Sequence, residues 1–81
     1  MFKIGIVTHY YDKIGVAIVE LDGLLAVRDK VRFTKNGEYL FEQEITEIQV
    51  GHKKLESANK GTLIGIKTRE VVPEGTEIFK L

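Results

Sequence analysis

The chain has no cysteine and no tryptophan, a single proline, a single methionine and one serine, Ser57. Without cysteine there is no disulfide, no thiolate nucleophile and no cysteine-ligated zinc site. The same absence suits a reducing interior, and the expected location is cytoplasmic. No apolar run approaches the ~20 residues of a membrane helix. The opening Met1–Val7 also lacks the long apolar core of a signal peptide. Neither sign of charge is in excess: 12 Lys plus Arg face 12 Asp plus Glu. Wholesale attraction to nucleic acid or to a membrane surface is therefore not expected, and only a local patch could do that work.

Signatures of chemistry are missing as well. No Gly-x-x-x-x-Gly-Lys-Ser/Thr loop occurs, and Asn59-Lys60 lacks the Asp that guanine recognition needs two positions after the Lys. Neither a nucleotide triphosphate site nor any other cofactor is expected. Ser57 has no histidine placed beside it, and the paired carboxylates Glu42 and Glu44 have an immediate structural use. The sequence reads as a non-enzyme.

What is present is the composition of a folded domain. At 81 residues, with 43% hydrophobic and 30% charged, the whole chain, 1–81, is expected to be one domain. Phe2–His9 has the Ile and Val content of a strand, and His9-Tyr10-Tyr11-Asp12-Lys13 is expected as an exposed turn or loop. The central stretch, Lys13–Phe33, reads as two strands with a connector. In Ile14–Asp22, one parity (Ala17, Val19, Leu21) suits a core. The other (Ile14, Val16, Ile18) needs a cover: the connector Leu24–Val27 or a partner. The next strand, Asp29–Thr34, leads into Asn36-Gly37. A two-residue turn there would mix inward and outward faces, setting Val31 opposite Glu42. A three-residue loop, Lys35–Gly37, sets Phe33 opposite Tyr39, Val31 opposite Phe41, Lys30 opposite Glu42 and Arg28 opposite Glu44. The side-chain pattern favours the longer loop.

The following strand, Tyr39–Val50, switches apolar parity between Ile45 and Ile48, which predicts a bulge or bend near Thr46 and Glu47. Gly51–Gly61 reads as a polar connector anchored by Leu55 and Ala58. Thr62–Arg69 is a strand whose Gly65 marks a close backbone approach or a bulge, and Thr76–Leu81 is the last strand. About six strands with regular turns and no convincing helix predict a small closed antiparallel β-barrel, an all-β fold.

Several segments in order carry a family likeness: Gly5-Ile6-Val7, Val19-Glu20-Leu21-Asp22-Gly23, Leu25–Val31, Thr46-Glu47-Ile48-Gln49, Leu55–Ala58, Lys60–Ile66 and Glu74-Gly75. Together they resemble the second domain of translational GTPases such as elongation factor Tu, over nearly the whole chain. Stand-alone elongation-factor-like proteins and the C-terminal barrel of the collagenase-like U32 peptidase family are similar too. Arg28 stands where the family usually has Gly, and Leu63 where it usually has a polar residue. The resemblance implies a translation-factor-like barrel. In the GTPases that barrel contacts RNA, with GTP chemistry elsewhere; in the U32 family the catalytic region lies outside it. No family pocket residue transfers to a position here.

Candidate surfaces follow from residue type. His9, Tyr10, Tyr11 and Lys13 could stack on unpaired bases or anchor a protein partner; alternatively one Tyr caps the core and the other lies outside. His9 and Asp12 could begin a metal site, but nothing supplies further ligands, so none is expected. Arg28, Lys30 and Arg32 alternate and could meet phosphates, or form a charge ladder with Glu42 and Glu44. His52, Lys53 and Lys54 make a second basic spot, open to RNA backbone or simply solvated. The outward row Ile14, Val16, Ile18 is a candidate apolar interface. The expected function is thus a binding module for RNA or a ribonucleoprotein, the alternative a protein-interaction or homodimerisation module.

Overall fold

A computed structural model describes all 81 residues. Ten strands and no helix make up the chain. They are β1 (Phe2–Tyr11), β2 (Val16–Leu21), β3 (Leu25–Ala26), β4 (Lys30–Lys35), β5 (Glu38–Glu44), β6 (Ile48–Val50), β7 (Lys53–Leu55), β8 (Ser57–Ala58), β9 (Leu63–Lys67) and β10 (Glu77–Lys80). Eight of them pair antiparallel in the order β5-β4-β10-β1-β2-β9-β6-β7, and β3 with β8 forms a separate ribbon.

Period-two patterning decides which face is buried. On β2, Ala17, Val19 and Leu21 point inward and are buried, as their parity predicts. Val7 of β1 and Ile64 of β9 flank Val19 across the two ladders, and Ile78 pairs with Phe33. All converge on one cluster with Ile48, Ile45 and the stacked pair Phe33–Phe41, whose ring centroids lie 4.6 Å apart.

One core can serve eight strands because the sheet bends around it. The register slips by one residue at Ile4 and at Thr8 on β1, and again within the β4–β5 hairpin. Such bulges increase local twist and bend the strand. A corner at Ile45–Glu47, where the parity switch predicts a bend, separates β5 from β6. β5 then pairs with β4, and β6 with β9 at the other end of the ladder.

The ladder nevertheless does not close into the expected barrel. β5 and β7 remain its two edges. Where backbone pairing stops, a side chain spans the gap. The Gln43 amide donates to the Lys67 carbonyl at 2.8 Å and accepts the Arg69 N–H at 2.8 Å, while Arg69 Nη2 donates to the Glu42 carbonyl at 2.9 Å. Gln43 pairs with buried Val31, so its parity aims it at the core side, where a polar group must find partners.

The β4–β5 hairpin corrects both registers considered for it. Its turn is the tight one: Lys35 pairs with Glu38, and Asn36 and Gly37 take φ of 52° and 80°. A bulge at Leu40 then restores the parity, pairing Phe33 with Phe41, Arg32 with Glu42 and Lys30 with Glu44. The connector after β2 is also placed differently from expectation. Its Leu25 is buried, and the β3–β8 ribbon fixes it by pairing Leu25 with Ala58. Gly51–Gly61 therefore carries short strands rather than a plain loop. Ala58 anchors it, whereas Leu55 stays 37% exposed on the β7 edge.

Candidate functional site

The aromatic cluster lies on a strand, not in a loop. His9, Tyr10 and Tyr11 pair with Ile18, Ala17 and Val16, and the turn begins only at Asp12. Alternation then splits them. Tyr10 shares the inward parity of Ala17 and packs against the core. Tyr11 points outward, edge-on to His9 at 4.5 Å between centroids, and His9 Nδ1 lies 3.2 Å from Glu74 Oε2. Asp12 and Lys13 are exposed in the turn.

The basic residues do not form one stripe. Arg28 precedes β4 and holds a left-handed backbone, φ 81°, at the position where the resembling family has Gly. It therefore leaves the alternation of Lys30 and Arg32. Arg32 Nε donates to Glu42 Oε2 at 2.6 Å, and its guanidinium lies 5.6 Å from the Tyr39 ring centre. Of the charge ladder one rung is an ion pair, Arg32–Glu42, shifted by one bulge from the expected register, while Lys30 stands opposite Glu44 without one. Lys53 and Lys54 lie on edge strand β7, with His52 in the turn before it, and Lys54 Nζ is 3.6 Å from Glu47 Oε1. Lysines on an open edge discourage strand-to-strand aggregation. No group of three or more His, Asp or Glu side chains is placed to hold a metal ion.

The outward row of β2 is where the surface is not self-satisfied. The connector Leu24–Val27, one of its two expected covers, packs at the β3–β8 ribbon instead. Val16 and Ile18 lean across Gly65, where an added Cβ would lie 3.2 Å from Val16 Cγ1 and 3.7 Å from Ile18 Cδ1. Gly65 thus serves a close approach of side chains, without a bulge. Around them stand Tyr11 (48% exposed), Ile14 (60%) and Leu63 (55%). These six residues line a shallow groove of about 380 Å³ bordered by Gln49 and His52. Parity alone finds Ile14, Val16 and Ile18. Leu63 is missed, although an apolar residue at a usually polar position is the signal that identifies it.

A second concavity, about 430 Å³, lies over the Gln43 seam and is lined only by polar residues, among them Glu44, Thr46, Lys67 and Arg69. Its Gln43 and Arg69 groups are already engaged in holding β5 to the end of β9.

No family model matches the chain. It is 32% identical over 79 residues to an uncharacterised protease of Methanocaldococcus jannaschii, and it spans 98% of its own length but 19% of that relative's. Among solved structures, it shares its fold with the C-terminal domain of a U32 peptidase from Geobacillus thermoleovorans. The TM-score is 0.90 at 21% identity, covering 99% of this chain and 92% of that one. The selenomethionine variant of the same domain gives 0.89 at 20% identity, covering 96% and 98%. The chain is thus an all-β module with the fold of a peptidase C-terminal domain.

Proposed function

We propose that the chain is a non-enzymatic protein-interaction module, working through the outer face of β1, β2 and β9 as an accessory domain does. One observation carries this reading: the chain leaves the apolar band partly open, with Tyr11, Ile14 and Leu63 exposed around half-buried Val16 and Ile18. Contiguous exposed apolar surface in a small protein marks a contact site. The likeness to a C-terminal peptidase domain supports an accessory part rather than a catalytic one. A cysteine-free chain suits the cytoplasm. For RNA the charges are poorly disposed, since Arg32 and Lys54 already face Glu42 and Glu47 and Arg28 lies off the strand.

A photo-reactive residue at Leu63 tests the reading, with the same residue at Glu38 on the far hairpin as control. Protein adducts are expected from position 63 and not from 38. They survive ribonuclease and disappear when Ile18→Glu is added. Adducts to RNA, or equal labelling from both positions, would overturn the proposal.

A further inference from the structure

Resting on that docking reading, we propose that the partner of the outer face is a second copy of this chain, joined about a two-fold axis near Ile18 and Gly65. The pairings Glu20 with Leu63 and Val16 with Lys67 set one acid and one base at opposite ends of the apolar band. Along β2 the two rows are four residues apart, about 13 Å at ~3.3 Å per residue. Glu20 and Lys67 are both exposed, and neither joins any ion pair within the chain. Lys3 with Glu77, Arg32 with Glu42, Lys54 with Glu47 and Lys80 with Asp29, by contrast, are ion pairs within the chain.

A two-fold axis lying in the interface plane, perpendicular to the line from Glu20 to Lys67, turns the acidic end of one copy onto the basic end of the other, so each contact is made twice. Glu20 then meets the second copy's lysine while its own Lys67 meets the second glutamate. Between them lies apolar surface on both sides, with Leu63 and Ile14 projecting around the shallow groove where Val16 and Ile18 lean over Gly65. The face spans only four strands, β1, β2, β9 and β6, spaced ~4.8 Å apart. That footprint is at the small end for specific interfaces, so the dimer depends on concentration.

Sedimentation of the whole chain from about 10 μM to about 1 mM, the range in which weak association is read, provides the test. The mass is expected to rise toward two copies. Glu20→Lys alone and Lys67→Glu alone bring like charges together and weaken association by about tenfold or more. The double variant Glu20→Lys/Lys67→Glu is expected to restore it, with all variants keeping the wild-type circular dichroism. A monomer at every concentration overturns the proposal, and so does a double variant no better than the singles. A dimer indifferent to both single reversals overturns it too. A monomer that still gives Leu63-specific protein adducts, lost with Ile18→Glu, leaves the docking reading standing; a monomer without them sinks both.

Discussion

The outer surface of the sheet has two halves built on different plans. On β4 and β5 the outward positions carry charge, and opposite signs face each other across the hairpin: Arg32 bonds Glu42 at 2.6 Å, and Lys30 stands opposite Glu44. Gln43 and Arg69 tie that hairpin to the end of β9. On β1, β2 and β9 the outward row is apolar, only half-covered, and ends in two unpaired charges. The inner faces of both halves meet in the same core, so the halves differ only outside it, and the proposed contact would cover the apolar one.

That contrast can be broken in several ways, the largest through the shared core. Phe33→Ala removes a fully buried ring stacked on Phe41, so unfolding free energy should fall by ~3–5 kcal/mol. Such a loss weakens both halves alike. If urea unfolding instead shows a loss under ~1 kcal/mol, the common core is wrongly assigned.

Next in size is the seam that completes the first half. Gln43→Ala deletes two hydrogen bonds and is expected to cost ~1–3 kcal/mol. The Arg69 amide should then exchange with deuterium much faster than in the wild type. Unchanged protection would mean that backbone pairing, not the Gln43 side chain, holds β5 to β9.

Arg28→Gly should move stability upward. A left-handed backbone costs a non-glycine residue ~1–2 kcal/mol, partly offset by glycine's greater freedom when unfolded. A net gain of up to ~1 kcal/mol in unfolding free energy is expected, read as a higher denaturation midpoint. A loss would show that the Arg28 side chain contributes contacts outweighing its backbone cost.

The smallest effect concerns the charge ladder. A double-mutant cycle on Arg32 and Glu42 should give a coupling of ~0.2–1 kcal/mol, because both side chains are about one-third exposed and screened by water. Zero coupling would remove the claim that this half satisfies its own charges.

Much of this architecture is legible in the residues, and where it is not the reason is physical. Alternation reveals the inward row Ala17, Val19, Leu21, and the parity switch after Ile45 reveals the corner. The β4–β5 register escapes because turn length and parity conflict. The fold resolves them with a bulge at Leu40, which neither signal encodes alone. Closure escapes for a similar reason: strand content cannot tell whether the last gap is spanned by backbone or by one amide such as Gln43. The Tyr pair looks like a loop because His9–Lys13 is polar, yet the bulge at Thr8 carries it onto β1 and turns Tyr11 outward. Of the outer face, the row on β2 is readable. Its open state is not, since that depends on where Leu24–Val27 packs.

The β2 outer row belongs either to a contact surface or to the core. Equilibrium unfolding of Ile18→Glu, measured at a concentration low enough to keep the chain monomeric, tests this most directly. A surface position predicts a stability change within about 1 kcal/mol of wild type. A loss above ~3 kcal/mol, the cost of burying an unpaired charge, would contradict it and return the row to the interior.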